Sequence, residues 1–239
     1  MKNLSVNINK IATIRNARGG QVPSVVQAAI NAEKFGADGI TVHPRPDERH
    51  ITREDVYNLK KVIKKEFNIE GNPTKQFIDL VLDIKPTQVT LVPDAPDVLT
   101  SNKGWDIKSN YNFLKEIVSE FKRSKIRTSI FVDPKEKMVE LAKKLEADRV
   151  ELYTETYAKK FPINRQNAIK DFCKCSLLAK NINIGLNAGH DLNLDNLKYF
   201  SSKIDNLLEV SIGHALISDS IYFGLQNTIS MYKLSLIHI

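Results

Sequence analysis

The stretch Phe35-Gly36-Ala37-Asp38-Gly39-Ile40-Thr41-Val42-His43-Pro44-Arg45-Pro46 contains the repeating unit from which the fold is read. An amphipathic helical segment, Ser24–Phe35, ends at a glycine, and the short β-branched run Gly39–Val42 follows. A histidine then opens a loop restrained by two prolines. Outward from this unit the same order recurs along the chain. Strand-like runs fall near Leu4–Ile8, Phe67–Glu70, Gln88–Leu91, Arg127–Phe131, Arg149–Leu152, Asn183–Asn187 and Leu208–Ile212. Helix-period segments cover Arg53–Lys65, Thr74–Ile84, Tyr111–Ser124, Lys135–Leu145, Ala168–Lys180, Leu194–Phe200 and Ile217–Met231. Ser24 behind Pro23, and Thr52 with Asp55 three residues on, have the spacing of helix starts. The strand runs read as continuous apolar segments, the pattern of a parallel sheet covered by helices.

Eight strand–helix units in 239 residues, with no linker or low-complexity break, predict a (β/α)8 TIM barrel with extra short helices, a single α/β domain over 1–239. A doubly wound open sheet would use fewer strands, and no G-x-G-x-x-G follows the first one. Two loops are longer than the rest, Asn9 to Pro23 and Pro93 to about Asn110; both are candidates for lids or short helices.

The chain carries 35 Lys plus Arg against 28 Asp plus Glu, a formal charge of +7, with 42% hydrophobic and 26% charged residues. That is the balance of a water-soluble globular protein. No apolar run reaches the roughly 18 residues of a membrane span. The N-terminal residues enter a strand-like alternation without an apolar leader, and Cys173 and Cys175 form no C-x-x-C pair, so a reduced, cytoplasmic protein is expected. Excess positive charge suits nucleic acid or phosphorylated small molecules. Lysine-rich segments such as Lys60–Lys65 read as solvated helix faces, and no basic tail, zinc finger or RNA-recognition signature is present.

In such barrels active sites collect at the C-terminal ends of the strands. Asn7 ends the first run and leads to Asn9, Lys10, Arg15 and Arg18; His43 ends the second and leads to Arg45 and His50; Glu70 closes the third. Asn187-Ala188-Gly189-His190 follows the seventh and Gly213-His214 the eighth, so four of the five histidines stand just past strand ends. His43 taken alone could be a hydrogen-bonded core residue, but His190 and His214 at matching positions favour function. Glu70 after Phe67-Asn68-Ile69 would be a costly buried carboxylate unless ion-paired or functional. Arg45 and His50 fit either a solvated loop or phosphate recognition, which the two prolines would preorganise. Gly213 before a helix start suits an anion. A metal held by His43, Asp47, Glu48 and His50 matches no standard spacing. There is no Walker loop, nucleophile elbow or cysteine placed for attack. An isomerase or aldolase acting on one sugar phosphate is the alternative chemistry on the same fold, although no lysine stands clearly at a strand end as a Schiff-base former.

These residues carry a resemblance. Val6-Asn7-Ile8-Asn9-Lys10-Ile11-Ala12-Thr13, Arg15 to Gly19, Gly36 to His43 and on through Ile51, Asn68-Ile69-Glu70, Thr90 to Pro93, Asn187 to His190 and Ile212 to Ala215 are together similar to the pyridoxine 5′-phosphate synthase family of vitamin B6 biosynthesis. The resemblance implies a (β/α)8 barrel assembling as a homo-octamer, a tetramer of dimers, with no cofactor and no metal. It implies a transferase-type ring closure of 1-deoxy-D-xylulose 5-phosphate with 3-amino-2-oxopropyl phosphate, giving pyridoxine 5′-phosphate, phosphate and water. By the same resemblance His43 and Glu70 accept protons and His190 donates one. Arg45, His50 and Thr100 hold the deoxyxylulose phosphate, and Asn7, Arg18, Gly213 and His214 the amino-ketone phosphate. The chain departs from the pattern at Asn9-Lys10, where Asp-His is frequent, and at Asp191, where glycine is common; these are carried as substrate-binding positions of altered chemistry. The final Leu234–Ile239 lies outside the pattern.

Overall fold

The structure is a computed structural model and describes residues 2–94 and 101–237. Eight strands close a parallel barrel in sequence order: β1 (Asn3–Asn7), β2 (Gly39–Val42), β3 (Glu66–Gly71), β4 (Gln88–Leu91), β5 (Arg127–Val132), β6 (Arg149–Tyr153), β7 (Gly185–Gly189) and β8 (Leu207–Ile212). The barrel closes by pairing Ser5 of β1 with Ser211 of β8. The crossover helices are α2 (Val25–Lys34), α3 (Arg53–Val62), α4 (Lys75–Ile84), α5 (Tyr111–Arg123), α6 (Glu136–Lys144), α8 (Arg165–Asn181) and α9 (Leu197–Lys203). The chain ends in α10 (His214–Phe223) and α11 (Leu225–Leu236). Short extra helices, α1 (Asn9–Asn16) and α7 (Glu155–Lys160), sit in loops that follow strands. The expected short helix in the loop from Asn9 is therefore present.

Two expectations need correction. A single helix over Ile217–Met231 is in fact two, because the chain breaks at Gly224, whose φ of 75° is open to glycine. The strands are also not continuously apolar. Leu4, Val6, Ile40, Val42, Phe67, Ile69, Val89 and Leu91 belong to one hydrophobic core, and the residues between them are polar. Alternate side chains of a strand face opposite sides of the sheet, so the apolar set meets the helices and the polar set fills the barrel. There Ser5 Oγ meets Thr41 Oγ1 at 2.7 Å, Asn68 Nδ2 donates to Thr41 at 3.3 Å, and Thr90 Oγ1 donates to Asn68 Oδ1 at 3.1 Å. Partnered polar groups make such an interior tolerable.

The helix starts are as read: Ser24 Oγ accepts from Gln27 N, and Thr52 with Asp55 forms a reciprocal capping box. Of the apolar tail, Leu236 ends α11 and is buried, whereas Leu234 and Ile237 are exposed. One buried ion pair joins α1 to α3. Arg15 donates to both carboxylate oxygens of Asp55, at 2.5 and 2.8 Å, and to the carbonyl of His50 at 3.1 Å. Burial works against the Asp55 carboxylate, but Arg15 and Thr52 hold it below the usual range.

Breaking a buried pair leaves an uncompensated charge, at a cost of about 3 kcal/mol or more. Asp55→Ala is therefore expected to lower unfolding free energy by at least about 3 kcal/mol in urea titration, and a loss below 1 kcal/mol would show the pair to be dispensable.

Candidate active site

At the C-terminal mouth of the barrel lies a cavity of about 950 Å³. Asn7, Asn9, Lys10, His43, Arg45, His50, Glu70, His190, Asp191, Gly213 and His214 all line it, gathered from the ends of five different strands and the segments that follow them. Of the other expected residues, Arg18 is exposed in the turn behind α1 and is not part of this lining, and Thr100 lies outside the described residues.

Local hydrogen bonds position each group. Asn7 Oδ1 accepts from Asn9 N at 3.0 Å, starting α1 directly over the barrel rim. Asn9 Oδ1 in turn accepts the backbone N–H of His43 at 2.9 Å, so its side chain ties the first loop to the second. Lys10 lies one residue on and contributes positive charge toward His50. Arg45 Nη2 donates to Asp94 at 2.7 Å, with both side chains buried, and Ser101 Oγ donates to the same carboxylate oxygen.

Burial drives the His43 imidazole well below its ordinary range, with Arg45, His50 and Arg49 adding repulsion. His50 is lowered to about 4, again by burial first and then by Arg45 and Lys10. Its Nδ1 accepts the N–H of Ile51 at 2.9 Å. The neutral ring therefore keeps its proton on Nε2, as a hydrogen-bond donor. The two imidazole rings stand edge to face with centroids 6.3 Å apart.

Glu70 behaves oppositely. Burial, then the charges of Asp94 and Glu209, push its carboxyl up to about 8. Asn7 Nδ2 donates to it at 3.5 Å, the long end of a hydrogen bond. His190 and Asp191 both occupy left-handed backbone, with φ of 79° and 58°, uncommon for side chains other than glycine. That conformation accounts for the suitability of glycine at 191. Thr154 Oγ1 bonds both carbonyls beside the bend, and Asn196 Nδ2 donates to Asp191 O at 3.2 Å. The Asp191 carboxylate turns onto His190 Nδ1 at 2.9 Å and is held below the usual range chiefly by that bond. Proton exchange between the His190 ring and the cavity then runs through Nε2, while Tyr153 packs against the ring at 5.0 Å.

Glu151 is the functional candidate that sequence reading passes over. It lines the cavity at 3% exposure, and one oxygen, Oε2, has no hydrogen-bond partner in the protein. A Cβ on Gly189 would come within 2.2 Å of Glu151 Oε1, so glycine there leaves room for the carboxyl. Burial and the charge of Glu70 raise the Glu151 carboxyl well above its ordinary value. The available signal is parity: Glu151 stands between apolar Val150 and Leu152, which face the helices, and so points to the inward side. At the rim, α10 begins at His214 behind its N-cap Gly213, and Gly213, His214 and Ala215 line the cavity; a helix N-terminus is a favourable seat for an anion. Among the described residues no His, Cys, Asp or Glu cluster has the geometry of a metal site.

Residues 4–238 match the model of the family described as pyridoxal phosphate biosynthesis protein PdxJ. The chain belongs to this family. A pyridoxine 5′-phosphate synthase of Parabacteroides distasonis is 61% identical over 233 residues, covering 98% of each chain. The enzyme of the same name from Christiangramia forsetii is 58% identical, covering 97% of this chain and 98% of its own. Solved structures of low identity share the fold alone. Phosphoribosylanthranilate isomerase of Thermotoga maritima aligns with a TM-score of 0.62 at 14% identity, over 99% of this chain and 98% of its own. Tryptophan synthase of Mycobacterium tuberculosis aligns at 0.65 and 12%, over 98% and 92%.

Following the His50 ring by NMR against pH should give a midpoint near 4; a midpoint between 6 and 7 would contradict the enclosed, cation-lined setting. An unfolded imidazole takes its proton near 6.5 and folded His50 only near 4. The unfolded state therefore binds more protons between these values, and His50 draws stability down as pH falls through them. Glu70 acts in the other direction, its contribution being lost as pH rises from 4.5 to about 8.

Proposed function

We propose that the chain condenses 1-deoxy-D-xylulose 5-phosphate with 3-amino-2-oxopropyl phosphate to give pyridoxine 5′-phosphate, phosphate and water. The observation that carries this reading is one mouth gathering His43, Glu70, Glu151 and His190 with Lys10, Arg45 and His50, in a chain 61% identical to a synthase of that name. Forming the ring passes through imine or enamine formation, loss of phosphate, an aldol-type closure and dehydration, each of which moves protons. Groups with protonation midpoints near the working pH serve such steps. Glu70, at about 8, is the base for carbon acids. Neutral His43 accepts a proton through its free base form, and His190, oriented by Asp191, returns one at Nε2. Glu151, kept neutral by burial, donates a hydrogen bond to oxygen as negative charge develops there.

The helix start at Gly213 and His214, together with Asn7, receives the amino-ketone phosphate. The deoxyxylulose phosphate is held by Arg45, preset by Asp94, and by the Nε2–H of His50. Lys10 adds a point charge on that side. The lining gives Arg18 no support as a ligand of the second phosphate. Octameric assembly and a cytoplasmic location belong to the same reading. The former is checked by light scattering, and the latter agrees with two unpaired cysteines. No described helix is long and apolar enough to cross a membrane.

Incubation with both substrates should yield pyridoxine 5′-phosphate; folded protein that makes none, or that turns over one sugar phosphate without the amino partner, would reject the assignment. The ratio kcat/KM should rise with pH toward about 8, as the Glu70 carboxyl loses its proton. Glu70→Gln, which keeps the shape and loses the base, should lower kcat about 100-fold or more while KM changes little; an unchanged kcat would mark Glu70 as structural. Arg45→Lys should raise KM for deoxyxylulose phosphate because the planar fork is lost, and equal affinity in a titration would remove Arg45 from that subsite.

A further inference from the structure

Tyr153 closes β6, and its register partner on β7 is Gly189, the residue before His190. Its ring meets the His190 imidazole edge to face, with centroids 5.0 Å apart and planes at 82°. Phe131 of β5 packs on the same phenol ring at 5.1 Å. With Val92 these two residues form a small apolar cluster separate from the main core. Tyr153 is itself buried and is not part of the cavity lining, so it reaches a substrate only through other residues.

The hydroxyl leads away from His190. It donates to the carbonyl oxygen of Ser101 at 3.1 Å. Burial, then the charge of Glu155, raise the phenol above its ordinary range, so it keeps the proton it donates. Ser101 Oγ donates to Asp94 Oδ2 at 2.7 Å, and the same oxygen accepts from Arg45 Nη2 at 2.7 Å. Asn72 Nδ2 holds the Asp94 carbonyl at 2.9 Å. An unbroken run of contacts therefore joins the His190 ring to the Arg45 guanidinium, from the end of β7 to the loop after β2. The two parts of the tyrosine act separately in it. Any six-membered ring at 153 keeps the contact with His190, whereas only a phenol reaches Ser101. The Asp191 carboxylate fixes one point of the imidazole, Nδ1; the ring packed against it sets the plane.

We propose that Tyr153 is a positioning residue with two roles: its ring sets the plane of the His190 imidazole, and its hydroxyl steadies Arg45 through Ser101 and Asp94. The proposal rests on the reading of His190 as the proton donor and of Arg45 as a phosphate ligand. It adds the residue that ties the two together. Links of one hydrogen-bonded chain are energetically coupled, so cutting a second link adds little once the first is cut.

The test compares Tyr153→Leu, Tyr153→Phe, Ser101→Ala and the variant carrying both Tyr153→Phe and Ser101→Ala, with thermal melting to confirm folding. For each, kcat and the KM of both substrates are measured. Tyr153→Leu, which loses the ring, should lower kcat about 10-fold or more, as displacement of a reacting group does. Tyr153→Phe should restore kcat but raise KM for deoxyxylulose phosphate about threefold, the scale of one hydrogen bond. Ser101→Ala should raise the same KM, and the combined variant should add little to either. KM for the amino-ketone phosphate should stay unchanged throughout. A kcat in Tyr153→Leu equal to the original, a kcat lost equally in Tyr153→Phe, or KM increases that multiply in the combined variant would overturn the proposal. Should Tyr153→Leu not fold, the other variants still decide, and an unchanged KM in both single ones would overturn it. Unsubstituted protein that forms no pyridoxine 5′-phosphate would reject the functional reading and this proposal with it. Active protein whose Tyr153 variants match it would reject this proposal alone.

Discussion

A closed eight-stranded barrel has an interior that no solvent or helix can satisfy, and in this protein that interior is polar. Hydrogen-bonding groups pointed inward mostly find their partners among the other strands, with Glu151 Oε2 among the exceptions, because an unpaired one in a low-dielectric space costs free energy comparable to a lost hydrogen bond. The result is the chain of contacts from Ser5 through Thr41 and Asn68 to Thr90, and the second chain from Arg149 through Asn187 to Glu209. Room for the larger members comes from glycine. A Cβ at Gly185 would meet Arg149 Cγ at 2.7 Å, and one at Gly189 would strike Glu151. Satisfying these bonds together specifies strand register, and register then decides which loops meet at each mouth.

From that constraint the electrostatics of the cavity follow. Acids enclosed with other acids keep their protons, as at Glu70 and Glu151, and imidazoles enclosed with guanidinium groups lose theirs, as at His43 and His50. Asp94, by contrast, is held against Arg45. The proton-moving groups are thus neutral where a solvated surface would leave the acids charged. Neutral acids and bases beside fixed cations suit two phosphorylated substrates, which bring the negative charge themselves. The bend at His190–Asp191 shows the same economy of means: left-handed backbone is tolerated where Thr154 and Asn196 bond the carbonyls on either side of it.

The strand positions, the place of Glu70 near the end of its strand, and the standing of His43, His190 and Gly213 beyond theirs were legible in the linear order because period and punctuation are local properties. The short helix after Asn9 was legible only as an overlong loop. The division of Ile217–Met231 was not, since both halves share one helical period and the break rests on a single glycine conformation. Arg18 sat in a matching motif, yet it lies in an exposed turn behind α1, because motif order does not say where a helix end will face.

By itself the sequence determined the count of strand–helix units, the loops that carry imidazoles and guanidinium groups, and the family to which the chain belongs. Only the tertiary structure decided that Glu151 and Glu209 stand inside the barrel beside Glu70, that Asp94 claims Arg45, and that Asp191 turns onto His190. The reason is physical: whether a carboxyl is charged depends on what surrounds it, and residues from distant parts of the chain become its surroundings only when the barrel closes.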